Sequence, residues 1–247
     1  MANWYRYLAT SDDRTARAIR RFYRRVMNFS VPAPRLITVP VLTLIVVIRS
    51  TYYFWMRVFI CEPLFKAYCT SYGRNLHTGV FLHWVQGKGD IIIGDDVTLD
   101  GRSNIFFATR FCERPTLRIG DHSLFGHECA FTIGKEISIG KHCRFASQIA
   151  IFDSSGHPSE PVARMKGEPP SVDEVKPVII GDNVWVGTNC IIYPGVTIGD
   201  NSIVSAGSVV MSSVPANTVV AGNPARMVRT LTAPVRPDSK SGVLAGV

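Results

Sequence analysis

Among the groups that could carry acid–base chemistry near neutral pH, His157 is set apart by its surroundings. It lies in FDSSGHPSEPVARMKGEPPSVDEVKP, residues 152 to 177, a stretch without the regularity of the sequence on either side. A loop this long inside a compact chain has a function or lacks order, and an imidazole on it can reach a neighbouring face as a general base. Taken alone, a loop histidine is more often simply a solvated surface residue. Asp153, four residues earlier, can orient the ring or cap the loop. The six cysteines, Cys61, Cys69, Cys112, Cys129, Cys143 and Cys190, form no CxxC pair and no metal-ligand spacing. They read as free thiols in a reducing compartment. The first apolar run begins some thirty residues in, with no small-residue cleavage pattern after it. The expectation is therefore no secretory signal and a cytoplasmic catalytic part.

What positions the loop is a repeat of six. From Ile180, every sixth residue is a large aliphatic one: Ile180, Val186, Ile192, Ile198, Val204, Val210. Four residues after each of the first five comes a smaller one: Val184, Cys190, Val196, Ser202, Ser208. Upstream the pattern returns with breaks, at Ile93 and Leu99, at Ile119 and Phe125, and at Ile133, Ile139, Phe145 and Ile151. Cys129 and Cys143 fall in the small slot, which makes them wall residues. A period of six describes short strands wound as a triangular solenoid, one hexapeptide to a face, with aliphatics filling the axis. Periodicity does not give the handedness.

The N-terminal third has another texture. Residues 1 to 25 hold seven arginines against Asp12 and Asp13, so this stretch carries +5 of the chain's net +8. The arginines alternate with Trp4, Tyr5, Tyr7, Leu8, Ile19, Phe22 and Tyr23, as in a basic amphipathic helix. Then LITVPVLTLIVVI, residues 36 to 48, carries no charge. Thirteen helical residues span about 20 Å against a hydrocarbon core of about 30 Å. Pro32, Pro34 and Pro40 argue against one straight spanning helix, and Tyr52, Tyr53 and Trp55 suit a headgroup boundary. The expectation is an interfacial or re-entrant attachment to a membrane surface, peripheral or monotopic; the alternative is that these residues pack as buried helices or across a trimer. The adjoining apolar run weakens nucleic acid as the partner of the arginines. Three regions result: a membrane-associating region at 1–70, a solenoid at 71–230 with its histidine loop at 152–178, and a Pro-, Ser- and Gly-rich tail at 231–247 expected to be disordered.

From Gly156 to Arg229 the motifs HPSEPVAR at His157, IGDNVWVG at Ile180, PGVTIGDNS at Pro194 and GNPAR at Gly222 resemble the galactoside and maltose O-acetyltransferase group of the hexapeptide-repeat acyltransferases. The resemblance covers about 130 residues, from near Ile91 to Arg229. It implies a mainly β fold, a left-handed parallel β-helix that departs from the usual right-handed crossover, behind an N-terminal helical apolar segment. It implies His157 as general base and acetyl-CoA as co-substrate, with no metal. It places the donor at Trp185, Thr188, Ala206, Arg226 and Arg229, the arginines at the nucleotide end. It also implies a homotrimer whose site is assembled between neighbouring solenoids. Two departures stand out. Met211 and Ser212 replace a Thr-Lys pair common in relatives, and Glu128 stands where the sugar enzymes tend to carry an asparagine near the acyl group.

The expected acceptor is a hydroxyl of a sugar, on a glycolipid, another lipid-linked intermediate or a polysaccharide at the cytoplasmic face of the membrane. Two competing readings remain. A γ-class carbonic anhydrase shares the solenoid and binds zinc through three histidines, for which His83, His122, His127 and His142 are candidates, although His122 and His127 occupy different slots. A non-catalytic trimeric membrane scaffold would keep the trimer without binding a donor.

Overall fold

The computed structural model describes residues 2–232. Its compact units divide between Thr51 and Tyr52, where the sequence reading drew a boundary at 70/71. In the first unit, α1 (Ala2–Thr10) and α2 (Arg14–Met27) pack as a hairpin. Asp13 caps α2 by accepting the Ala16 N–H at 2.7 Å, and Arg20 donates to the Leu8 carbonyl at 2.7 Å. The helix α3 (Arg35–Met56) is 22 residues long, about 33 Å. This corrects the thirteen-residue estimate: Pro40 lies inside the helix, where it forgoes one i→i−4 hydrogen bond, to the Leu36 carbonyl, and does not end it. A π-turn (Arg57–Cys61) and α4 (Glu62–Tyr68) continue the run. Arg35–Tyr68 is long and apolar enough to cross a membrane, and none of its most apolar window is buried.

The second unit is the triangular solenoid. Its strands form three parallel sheets, called here faces one, two and three, and the chain visits them in rotation. The register shows the repeat directly. Ile180 pairs with Ile198, Val186 with Val204, and Ile192 with Val210, so one coil is three hexapeptides. All six side chains are at most 2% exposed. The small slot behaves as expected, with Val184, Cys190, Val196, Ser202 and Ser208 all buried at the corners. Farther toward the N-terminus aromatics fill the axis, where Phe125 stacks on Phe145 with centroids 4.5 Å apart.

Corners close tightly. A Cβ added at Gly187 would lie 2.5 Å from the Ala206 amide of the next coil, so no side chain fits there. The turn after face one needs positive φ, supplied by a column of Asn75, Asp96, His122, His142, Asn183, Asn201 and Asn217. Amides link this column, as Asn183 donates to Asn201 at 2.9 Å and Asn201 to Asn217 at 3.0 Å. His122 and His142 belong to it and stack at 4.8 Å. At the N-terminal end, Phe65 of α4 joins the solenoid core, which is why the second unit begins before residue 70. At the other end an antiparallel hairpin, Thr218–Gly222 with Ala225–Thr230, finishes face two. The tail expected to be disordered lies outside the described residues, apart from Leu231 and Thr232.

Candidate active site

The histidine loop leaves the last strand of face three before the break, Ala150–Phe152, and returns to face one at Val178–Ile180. It therefore replaces one corner of the solenoid. The HPSEPVAR motif is a self-bracing unit. Pro158 is buried, Glu160 caps the short helix α5 (Pro161–Met165) by accepting from Val162 N–H, and Arg164 donates back to the carbonyls of Pro158 and Ser159, each at 3.0 Å. Glu174 ties the loop's two ends, accepting the N–H of Ser159 and of Ser171, each at 2.8 Å. These bonds, led by the one to Ser159, push its carboxyl down to about 2. The clamp is therefore ionised at neutral pH, and its ionisation is lost only as pH falls through about 2.

Held this way, His157 is exposed and lines a cleft with Phe106, Phe111, Thr132, Gly156 and Glu168. Arg110 lines it too, from a second break in the repeat between Phe107 and Thr116 at the same corner. No hydrogen bond or ion pair engages the imidazole among the described residues. A Glu174→Gln variant keeps the volume and removes the charge that holds the loop. For the acetyl transfer that the resemblance implies, it is expected to lower the rate about 10–100-fold, as a misplaced catalytic group does. Donor binding at the other edge is expected to be unchanged, and a calorimetric CoA titration beside the kinetics checks both.

Asp153 has another position. It is fully buried, and its two oxygens accept three backbone N–H groups, Gly134 at 2.6 Å, Lys135 at 2.6 Å and Glu136 at 2.8 Å. Burial pushes the carboxyl up against the opposing pull of those donors. Of the two roles open to it, the geometry gives the cap: the carboxylate secures the turn beneath the loop and makes no hydrogen bond to the His157 ring.

The donor candidates collect elsewhere. Trp185 projects from face two and is about half exposed. Thr188 and Ala206 follow on consecutive coils at the corner between faces two and three, where Thr188 Oγ1 donates to the Ser147 carbonyl at 2.8 Å. Arg226 and Arg229 stand exposed on the terminal hairpin. Strands carrying Trp185, Ile203, Val219 and Arg229 are successive neighbours on face two, so the candidates run some 14 Å along the axis at about 4.8 Å per strand. Glu128 belongs to this same corner, N-terminal to Thr188. It has a φ of 59° and accepts from Gln148 Nε2 at 3.1 Å. The chain thus brings Glu128, Trp185, Thr188 and Ala206 to one edge and places His157 at the next, with the width of face three between them.

Apart from the His122–His142 stack, the remaining histidines lie apart. Among the described residues no group of three or more His, Cys, Asp or Glu side chains is placed to hold a metal ion. Glu160 and Arg164 stood out in the sequence only as letters of the HPSEPVAR motif; the brace Glu174 and the cleft residues Phe106 and Arg110 did not stand out at all. The only signal for the last two was the break in the repeat after Phe107.

Comparison with known proteins agrees with this architecture. Residues 177–212 match the family described as hexapeptide repeat of succinyl-transferase. Over 169 residues the chain is 32% identical to WbbJ of Escherichia coli K12, named provisionally for lipopolysaccharide biosynthesis O-acetyl transfer, covering 63% of this chain and 80% of that one. It is 41% identical over 95 residues to the galactoside O-acetyltransferase of the same organism, 38% of this chain and 44% of that one. The crystallised polysialic acid O-acetyltransferase OatWY superposes with a TM-score of 0.52 and 30% identity, covering 64% of this chain and 72% of that chain. The chain belongs to the hexapeptide-repeat acetyltransferase family, and its solenoid is that family's left-handed parallel β-helix. It spans about half the length of the first curated relatives it matches.

Proposed function

We propose that the protein is an acetyl-CoA-dependent O-acetyltransferase that acts as a homotrimer on a sugar hydroxyl presented at a membrane. One observation carries the reading: a braced, exposed His157 stands over an open cleft at one corner, while the donor candidates line the neighbouring corner. In a threefold assembly the histidine corner of one chain faces the donor corner of the next, and each site is built from two chains. The pantetheine arm lies along the edge past Trp185, Thr188 and Ala206, and the arginines of the terminal hairpin meet the nucleotide phosphates. His157 takes the proton of the acceptor hydroxyl as its oxygen attacks the thioester carbonyl, then returns it to the departing CoA sulfur. No acyl-enzyme is needed.

The acceptor is proposed as a lipid-linked or polysaccharide sugar, supported by two features. The provisional name of WbbJ and the name of OatWY both concern polymeric glycans. The exposed apolar helix α3, preceded by the arginines of α2, gives the chain a means of sitting on the cytoplasmic face of an anionic bilayer. The experiment is CoA release from acetyl-CoA by the full chain in detergent, with free sugars, lipid-linked sugars and polysaccharide fragments as acceptors. Turnover with glycan or lipid-linked acceptors, and a rise in melting temperature with CoA alone, are expected. Intact trimers with neither response would make the protein the non-catalytic scaffold.

A further inference from the structure

At the N-terminal end of the solenoid, α4 forms against the first coil a half-open cavity of about 290 Å3 lined by Cys61, Leu64, Phe65, Tyr68, Leu82 and His83. Its size is at the lower end of small-molecule pockets, and its walls are largely apolar, as in such pockets. Leu64, Tyr68 and Leu82 are each about half exposed. The wall from Cys61 to Tyr68 is the last part of the apolar helical run Arg35–Tyr68.

His83 is the polar exception. It is 8% exposed, its ring lies 4.6 Å from Phe65, and its Nδ1 accepts the Ser103 backbone N–H at 3.2 Å. That bond leaves the proton of the neutral imidazole on Nε2. Nε2 is closed off from solvent and has no acceptor among the described residues. Burial holds the ring's pKa down at about 4, so at neutral pH it is an uncharged N–H donor. Buried donors are ordinarily paired, and one without a partner beside an apolar cavity calls for an oxygen carried on an apolar body.

We propose that this cavity takes the ester end of a membrane lipid's acyl chain, with the methylenes against Leu64, Phe65 and Leu82 and the ester carbonyl accepting the His83 Nε2 proton. Because Nε2 is shut off from solvent in this structure, binding requires the half-exposed Leu64, Tyr68 or Leu82 to give way as the oxygen enters. The occupant fixes the depth at which the solenoid rides on the bilayer. The proposal rests on the membrane-docked reading given above and adds the site and the lipid chemistry.

The test uses the full chain with vesicles containing phosphatidylglycerol and a lipid that carries a diazirine on its acyl chain next to the ester, beside a matched ether-linked lipid. Vesicle flotation reports docking, and peptide mapping after photolysis reports where the lipid lies. Expected are flotation and labelling within residues 61–68 and 81–84. With the ether lipid this labelling falls about fivefold, the worth of one net hydrogen bond. His83→Phe abolishes the difference between ester and ether. Ala67→Trp, an exposed position of α4 that also lines the cavity, removes the labelling while flotation and acetyl transfer to a soluble acceptor are unchanged. Flotation with label confined to residues 35–60, equal labelling by both lipids, or cross-links from 61–68 to a second copy of the chain would each overturn the cavity proposal alone. Absence of flotation would overturn it together with membrane docking.

Discussion

His157→Ala is expected to lower acetyl transfer about 10²–10⁴-fold, the usual worth of a positioned general base. The mass of the proposed trimer, the melting temperature and the proposed stabilisation by CoA should be unchanged. The separation follows from where the residue sits. The ring is exposed and holds no hydrogen bond among the described residues, and the loop is secured by Glu160, Arg164 and Glu174 instead. Removing the imidazole therefore takes away a proton acceptor and little packing. CoA release measured at saturating acetyl-CoA, beside differential scanning of wild type and variant with and without CoA, reads both halves. A variant that retains full activity would remove His157 from the mechanism; one that unfolds would make it a structural residue.

Asp153→Ala is the second large effect, and it falls on stability. The substitution strips the acceptor from three backbone N–H groups at the base of the loop. A buried donor left without a partner costs about 1–3 kcal/mol, so a total of about 3 kcal/mol or more is expected. For a chain of this size that corresponds to a drop of roughly 6–12 °C in melting temperature. Asp153→Asn keeps one accepting oxygen and should lose less. The contrast distinguishes the cap from an orienting role: a carboxylate acting through the imidazole would lower kcat in both variants while leaving the melting temperature in place. Thermal scans with parallel kinetics separate the two.

The solenoid could be read from the sequence because each coil repeats the same one-dimensional rule. An aliphatic every sixth residue and a small residue four positions on are what the structure buries, down to Cys129, Cys143 and Cys190 at the corners. The corner column of Asn, Asp and His with positive φ was present in the same stretch. It went unread because its logic lies between coils, in amide bonds such as Asn183 to Asn201, and not along the chain. Asp153 shows the same limit: its partners Gly134, Lys135 and Glu136 lie a coil away, so spacing could suggest a cap or an orienting carboxylate without choosing. The length of α3 was misjudged because three prolines were given equal weight as helix breakers. Pro32 and Pro34 precede the helix, and Pro40 falls in its early turns. The cleft was the least legible part, since Phe106 and Arg110 reach His157 only because two interruptions of the repeat open at one corner.

The pairing of Ile180 with Ile198 and of Val186 with Val204 means that this molecule measures length in whole coils. Eighteen extra residues in the regular part would lengthen the prism by one strand spacing, about 4.8 Å, and leave every later residue on its own face. Six extra residues would satisfy the core equally well, since each hexapeptide buries the same kind of side chain, yet would turn everything beyond them by a third of a revolution. Inserted upstream of Ile151, such a unit would carry His157, in the proposed trimer, to an edge away from the neighbour's donor groove, in a protein that still folds. The interior therefore tolerates insertions that the proposed assembly would not, and on that reading the coil count before the loop is a property of the active site.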